Sequence, residues 1–383
     1  MTARPQSVAA QLALAGTLVP RSVYGAVAAS RRDPSGLVPP TRLSARQAAE
    51  IAADDLCITV FGLLRAAPDV ERLERSAHRA SLIAEEVQAL GIDAANPRPP
   101  PAETTEEPLG RRYGPHARLL EWDSRPVLPA PLTSHASTRT TSPQRAAARV
   151  LRHPGPPRPW VVWTHGAGQG HEHDLRIFRA RWLHQELGLN LAFPVQPGHG
   201  HRRVEQPPYP GFDIVDNVAS VLRAVWDVRT LVAWVGRQDA PSVSVIGTSL
   251  GAPVTALVAH LEPSVEAIAM VVPLLDMHGT MAYHAARTSE GRRHIAILES
   301  EPVRALSSVI DARAAVPHAR PELRTVVAAQ NDQMASARDA RRLHDRWGGE
   351  MVWCAGGHVG RILSGEVRAG VNAHLHRWEA ATR

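Results

Sequence analysis

The chain has 383 residues, and 44% of them are hydrophobic, which is enough to bury the core of a large folded domain. Its formal charge is +6 at pH 7, and all 43 basic residues are arginines. Arginine is interspersed with acidic residues throughout and aromatic residues are few, so we expect no nucleic-acid partner. The two cysteines, Cys57 and Cys354, lie in separate predicted elements and do not indicate a disulfide framework.

The N-terminal residues bear a weak likeness to an export signal. Val8–Pro20 is mildly apolar, and Ala26–Ala29 resembles a cleavage site. Against that interpretation, Gln11 and Thr17 dilute the apolar run, and Arg21 interrupts it before the cleavage site. No stretch approaches the ~18 uninterrupted apolar residues that span a bilayer. We therefore expect a cytoplasmic protein without a transmembrane segment.

Residues 44–91 have the spacing of two helices, with Ser44 capping the first and the second running over about Val70–Leu90. One face of the first helix is apolar and comprises Ala48, Ile51, Ala52, Leu56, Val60, Leu63 and Leu64. Asn96–Glu107 is proline-rich and acidic, which is typical of a linker. The pattern predicts a helical extension and linker over residues 1–107 and a main domain over 108–383. The helices pack either on that domain or on a second copy of the chain, so a homo-oligomer is one of the two possibilities.

Beyond residue 108, strands and helices alternate. Strands are predicted at 117–122, 146–151, 160–164, 191–193, 243–246, 265–272, 323–329 and 350–354, and helices at 175–187, 214–235, 252–261, 337–347 and 360–378. Asp213 is placed to cap the helix that begins at Ile214. This order implies a mostly parallel sheet with helices on both faces. Residues 273–320 lack clear periodicity, and an insertion at the C-terminal edge of such a sheet usually covers the active site, so we interpret them as a cap.

A Gly-x-Ser-x-Gly motif, Gly247-Thr248-Ser249-Leu250-Gly251, lies between a short β-branched strand and a helix. Such a turn forces the serine into a strained backbone conformation that lifts its hydroxyl clear of the sheet. Side chains at either glycine would collide with the turn. The motif therefore predicts that the Ser249 hydroxyl stands clear of the sheet at its C-terminal edge and can act as a nucleophile.

Three further loops follow predicted strands: His165-Gly166-Ala167-Gly168, Asn331-Asp332-Gln333 and Gly356-Gly357-His358. Together with the Ser249 motif and in this order, they resemble the α/β-hydrolases, in particular the esterase, lipase and serine-peptidase branches, from about residue 112 onwards. The resemblance implies an α/β-hydrolase sandwich fold. It also implies that Ser249 is a nucleophile, that His358 is its base and that Asp332 orients the imidazole. The backbone amides of Ala167 and Leu250 would form the oxyanion hole.

Two rival assignments remain at this edge of the sheet. Asp276 follows the preceding strand, where some members of the fold place the acid, although position favours Asp332. The run His171-Glu172-His173-Asp174 looks like a metal cluster, but two histidines two residues apart at a helix start do not share a face. We therefore expect neither a metal nor another cofactor.

The function that the resemblance implies is hydrolysis of a carboxylic ester, or a related acyl bond, of a small-molecule substrate through an acyl-enzyme. An acyltransferase or a peptidase would use the same residues, because the pocket selects the acceptor. A catalytically silent hydrolase-fold protein that serves in binding is the alternative from another class.

Overall fold

The computed structural model describes residues 16, 18–30, 33–64, 70–110, 113–203, 209–286, 291–361 and 364–382. Within these residues, nine strands form one sheet. The strands are β1 (Thr104–Pro108), β2 (Ala117–Ser124), β3 (Gln144–Leu151), β4 (Trp160–Thr164), β5 (Asn190–Pro194), β6 (Val243–Thr248), β7 (Ala267–Val271), β8 (Arg324–Ala329) and β9 (Glu350–Cys354). The α-helices are α1 (Leu18–Ser30), α2 (Ala45–Leu64), α3 (Val70–Ser81), α4 (Ala84–Ala95), α5 (Ala130–His135), α6 (Thr138–Thr141), α7 (Asp174–Ile177), α8 (Ala180–Gln185), α9 (Ile214–Gly236), α10 (Gly251–Leu261), α11 (Met277–Ala285), α12 (Gly291–Leu298), α13 (Glu301–Ser307), α14 (Ala337–Trp347), α15 (His358–Arg361) and α16 (Gly365–Thr382).

The sheet is mostly parallel, as the alternation of strands and helices predicts. Its strand order is β1-β2-β3-β5-β4-β6-β7-β8-β9. The strands from β5 through β4 to β9 pair in parallel, whereas β1, β2, β3 and β5 pair antiparallel. Every residue of β4, β6 and β7 is buried, which explains why these strands are continuous apolar or small-residue runs. The C-terminal ends of these parallel strands form one edge of the sheet, where the candidate loops emerge.

Helices cover both faces of the sheet. The apolar residues of α9, α10 and α14 belong to one buried cluster, and those of α7, α8 and α16 belong to another. Helix α9 begins where Asp213 predicts, because the Asp213 carboxylate accepts a hydrogen bond from the amide of Asp216 at 3.1 Å. The predicted α/β sandwich is confirmed.

Several predicted helices differ in their bounds. The helix predicted over 175–187 divides into α7 and α8 because Arg179 adopts a left-handed conformation with φ of 55°. The helix predicted over about 70–90 ends at Ser81 and resumes at Ala84. The closing helix predicted over 360–378 is represented by α15 and α16, and residues 362–363 between them lie outside the described part.

Helix α2 buries a different face from the one that its apolar spacing predicts. Ile51 is buried, but Leu56 and Val60 are 53% and 40% exposed. The polar side chains of Gln47 and Asp54 are buried instead. The side chains of Leu63 and Leu64 lie outside the described part of the chain. The apolar prediction for this helix is therefore wrong in part, because hydrogen bonds rather than apolar contacts decide which side faces inward.

The linker prediction is wrong for its last residues, because Thr104–Pro108 forms strand β1 and pairs with β2. This edge strand is almost wholly exposed, so its sequence lacks the apolar alternation by which buried strands are predicted. The domain boundary at residue 107 stays a prediction. Within the described residues, helices α3 and α4 contact helix α13 of the 273–320 insertion, and α2 contacts α15. Residues 8–15 and 17 of the export-like segment and residues 287–290 of the insertion lie outside the described part.

None of the helices in the described ranges is long and apolar enough to cross a membrane. The cytoplasmic location and the homo-oligomer stay predictions.

A buried ion pair attaches the proline-rich stretch to helix α9. Arg229 lies 2.6 Å from the Glu262 carboxylate, and both side chains are almost fully buried. The same guanidinium donates to the carbonyls of Asn96 and Pro97 at 2.5 and 3.0 Å. The pair therefore holds residues 96–97 against the main domain.

We expect Arg229→Met to lower the free energy of unfolding by about 3 kcal/mol or more, because it leaves the Glu262 charge buried without its partner. Denaturant unfolding of the single variants and of Arg229→Met/Glu262→Met measures the coupling between the two side chains. The double variant should lose less than the sum of the single losses. Strict additivity would contradict the pairing.

Candidate active site

Ser249 occupies the sharp turn between β6 and α10. Its φ angle is 51°, a left-handed conformation that is unfavourable for a residue with a side chain. The turn is fixed on both sides, since the Ser249 amide donates to the Val271 carbonyl at 2.9 Å and the Leu274 amide donates to the Ser249 carbonyl at 3.2 Å. The strained strand–turn–helix that the Gly-x-Ser-x-Gly motif predicts is therefore present.

The two glycines of the motif allow close contacts that no side chain could enter. A Cβ atom at Gly251 would lie 2.4 Å from the Thr164 carbonyl oxygen and 2.5 Å from that of His165. A Cβ atom at Gly247 would lie 2.6 Å from the Thr255 hydroxyl. The backbone that follows β4 therefore lies directly against the start of α10.

A chain of hydrogen bonds joins Ser249, His358 and Asp332. The His358 Nε2 atom lies 2.8 Å from the Ser249 hydroxyl oxygen, and its Nδ1 atom lies 2.6 Å from the Asp332 Oδ2 atom. All three side chains are buried; Ser249 is 6% exposed. The structure thus brings together the three residues that the resemblance groups, although 109 residues separate Ser249 from His358.

A backbone hydrogen bond holds the loops that carry Asp332 and His358 next to each other. The Asn331 amide donates to the Gly356 carbonyl at 2.9 Å, which joins the loop after β8 to the loop after β9. The Asp332 Oδ1 atom accepts hydrogen bonds from the amides of Met334 and Ala335 at 2.8 and 2.7 Å. These bonds fix the carboxylate so that only its Oδ2 atom faces the imidazole.

The environment of His358 raises the pKa of its imidazole. Burial lowers the pKa of His358, but the Asp332 charge, the hydrogen bond to Asp332 and the Asp54 charge together outweigh burial and raise that pKa above the ordinary value of 6.5. An imidazolium that forms here is therefore stabilised by two carboxylates.

The loop after β4, which contains Ala167, lies against the serine turn through Gly166. A Cβ atom at Gly166 would lie 3.1 Å from the Ser249 Cβ atom, and the Gln169 side chain accepts a hydrogen bond from the Gly166 amide at 2.7 Å. His165 supports the loop, because its Nε2 atom accepts from the Gln196 amide at 3.1 Å. Over the described residues, the amides of Ala167 and Leu250 donate to no protein acceptor.

Asp276, the rival acid, serves a different purpose. Its Oδ1 atom accepts from the Gly279 amide at 2.8 Å and caps helix α11, while its Oδ2 atom pairs with Arg313 at 3.0 Å. The carboxylate beside His358 is that of Asp332. Asp276 contacts a cavity of about 490 Å³, which is also lined by Leu250, Pro253 and Met277. The insertion therefore borders the residue that follows Ser249, and its role as a cap stays a prediction.

Only Asp174 of the His171–Asp174 run belongs to helix α7, and His171–His173 form the turn before it, so the helix start expected for the two histidines is wrong. The rings of His171 and His173 stack, and the Asp174 carboxylate accepts from the amides of Gly170 and His171 at 2.6 and 2.7 Å. Throughout the described ranges, no group of three or more histidine, cysteine, aspartate or glutamate side chains is placed to hold a metal ion.

Sequence reasoning missed Asp54, which reaches the site from helix α2. This fully buried carboxylate accepts hydrogen bonds from the amides of His358, Val359 and Gln333. The available signal was a pair of acidic residues, Asp54 and Asp55, within an otherwise apolar helical pattern. Nothing in the sequence indicated which distant loops they would meet.

We expect Gly251→Ala to lower the free energy of unfolding by about 1–3 kcal/mol, because the new methyl group overlaps two backbone carbonyls. Gly236→Ala is the matched control, since it lies in helix α9 and a Cβ atom there would meet no neighbouring atom within 4 Å. Urea unfolding should show a loss for Gly251→Ala and no loss for Gly236→Ala. Equal stability of the two variants would contradict the close approach.

The chain shares its fold with proteins of solved structure. No protein-family model matches the chain. Two uncharacterised proteins from strains of Mycobacterium tuberculosis are 37% identical to it over 245 residues, which cover 62% of this chain and 58% of each relative. The structure of acetyl xylan esterase 1 from a Thermoanaerobacterium species has a TM-score of 0.54 at 13% identity, over 77% of this chain and 94% of that one. An acetyl xylan esterase from a Paenibacillus species has a TM-score of 0.52 at 16% identity, over 78% and 93%. The chain therefore adopts the α/β-hydrolase fold.

Proposed function

We propose that the protein hydrolyses a carboxylic ester through a covalent acyl-enzyme. The Ser249 hydroxyl attacks the ester carbonyl carbon while the His358 Nε2 atom accepts the hydroxyl proton. The tetrahedral intermediate then collapses, and the departing alkoxide takes that proton from His358. In the second half of the reaction, His358 removes a proton from water, the resulting hydroxide attacks the acyl carbon, and Ser249 leaves as its alcohol.

Asp332 supports both steps by orienting the imidazole. Its Oδ2 atom accepts a hydrogen bond from the Nδ1–H group of His358, which leaves the Nε2 lone pair directed at the serine. When His358 takes the second proton, the adjacent carboxylate stabilises the positive charge. The charge and the hydrogen bond of Asp332 are two of the causes that raise the pKa of His358.

The amides of Ala167 and Leu250 are proposed to bind the oxyanion. Leu250 directly follows the nucleophile, and the Ala167 loop contacts the Ser249 turn through Gly166. Backbone amides that are already oriented stabilise developing negative charge without further reorganisation. The absence of a protein acceptor for either amide among the described residues supports this role.

The observation that carries the proposal is the continuous hydrogen-bond chain from Ser249 through His358 to Asp332, at 2.8 and 2.6 Å, behind a strained serine. A merely structural serine needs neither the left-handed backbone nor a buried imidazole–carboxylate pair. The two solved structures compared above are named as acetyl xylan esterases, which supports an ester as the substrate class.

Hydrolysis of p-nitrophenyl acetate tests the proposal. We expect the protein to turn over this ester and Ser249→Ala to lose on the order of 10³-fold or more in kcat with an unchanged circular dichroism spectrum. Equal rates for the two folded proteins would contradict the role of Ser249. Absence of turnover across p-nitrophenyl esters of increasing chain length would favour a silent binding protein.

The same assay separates the two candidate acids. We expect Asp332→Asn to cost on the order of 10⁴-fold in kcat, as in the best-studied serine-protease case, because the amide no longer holds the correct tautomer. Asp276→Asn is the matched control, because it makes the same change in a carboxylate that caps α11 and pairs with Arg313. A large loss from Asp276→Asn, with Asp332→Asn near wild type, would refute the assignment.

A further inference from the structure

We propose that Asp54 on helix α2 is a positioning residue for His358, so that the N-terminal helical region completes the active site. Asp54 precedes His358 by 304 residues and belongs to none of the loops in the α/β-hydrolase motif. This inference rests on the proposed function, because it concerns the imidazole that serves Ser249.

Three backbone amides converge on the Asp54 carboxylate. Its Oδ2 atom accepts from the His358 amide at 2.6 Å and from the Gln333 amide at 3.1 Å. Its Oδ1 atom accepts from the Val359 amide at 2.8 Å. One side chain therefore ties the residue after Asp332 to the base itself, and it fixes where the His358 backbone begins helix α15.

Gly357 permits this contact. A Cβ atom there would lie 2.6 Å from the Asp54 Oδ2 atom and 2.9 Å from the Glu50 carbonyl oxygen. Any side chain at residue 357 would consequently push α2 away from the His358 loop. The glycine before the histidine is thus explained by the approach of an N-terminal helix.

A second contact from the same region reaches the acid loop. The Asn331 Oδ1 atom accepts hydrogen bonds from the Thr41 hydroxyl at 3.0 Å and from the Gln47 side-chain amide at 3.2 Å. All three side chains are buried. Residues 41–54 therefore hold both loops, the one with Asp332 and the one with His358.

Asp54 acts on His358 through its negative charge as well as through its hydrogen bonds. The three partners of the Asp54 carboxylate are all backbone N–H donors. They suit an ionised carboxylate, which can only accept hydrogen bonds. Burial raises the pKa of Asp54, the Asp332 charge raises it further, and the three backbone bonds oppose that rise. The Asp54 charge in turn raises the pKa of His358.

Two other ionisable side chains of helix α2, Glu50 and Cys57, lie about one turn from Asp54. Glu50, one turn earlier on α2, pairs with Arg46 at 3.1 Å. Cys57 lies nearly one turn later, and burial together with the Asp54 charge raises the pKa of its thiol, which stays neutral. The charged groups that act on His358 are therefore Asp332, from the loop after β8, and Asp54, from α2.

The pH dependence of kcat/KM for p-nitrophenyl acetate tests this role, because its acid limb reports the pKa of the base in the free protein. We expect the wild-type limb above pH 6.5. Asp54→Asn should lower kcat by about 10-fold or more through misplacement of the imidazole. It should also move the acid limb down by about half a pH unit or more, because a negative charge near His358 is lost.

Asp55→Asn is the matched control, since it removes the next carboxylate of α2, which is also buried. A general weakening of the helix would lower activity in both variants without moving the acid limb of kcat/KM. An unshifted acid limb in folded Asp54→Asn therefore overturns the inference. A wild-type protein that fails to hydrolyse any ester would refute the proposed function instead, which keeps the two failures distinct.

Hydrogen exchange in the wild-type protein tests the contact without any variant. The amides of Gln333, His358 and Val359 should exchange slowly, because each is bonded to a buried carboxylate. If Asp54→Asn does not fold, this measurement decides: fast exchange at all three amides means that Asp54 does not hold the loop, whereas protection at all three supports it.

Discussion

The arrangement of the candidate site depends on one close approach, between the C-terminal end of β4 and the first residue of α10. Gly251 lies so near the carbonyls of Thr164 and His165 that only a hydrogen atom fits there. This contact lies beside the Ser249 turn, where the serine has a left-handed φ angle of 51°. The strain is offset by the buried parallel strands on either side, since β6 pairs with both β4 and β7 over most of its length.

The other half of the site is assembled by hydrogen bonds between loops rather than by the sheet alone. Asn331 and Gly356 join the loops after β8 and β9, and helix α2 then bridges them through Asp54. A buried carboxylate is costly unless donors surround it, and here three amides do so. The N-terminal region is then part of the site, which explains why polar side chains face inward on α2.

Sequence reasoning could predict the sheet and the serine turn because both depend on local patterns. Short β-branched strands, glycine spacing and the cap at Asp213 each carry their own physical signal. Chain position favoured Asp332 over Asp276, but both follow neighbouring parallel strands, and only the folded structure shows which carboxylate lies beside His358. It also missed β1, which is exposed, and Asp54, whose partners are about 280 and 300 residues away. The spacing of apolar residues predicts which side chains are buried by the hydrophobic effect. It does not predict which polar side chains are buried by hydrogen bonds to distant residues.

Labelling with a fluorophosphonate decides whether Ser249 is an activated nucleophile beside an oxyanion site. The probe reacts rapidly only with a serine whose proton has an acceptor and whose tetrahedral product has amide donors. Peptide mass analysis of the folded protein should find one adduct, on Ser249, and none after Ser249→Ala. An unlabelled Ser249, or an adduct on another serine, would contradict that role.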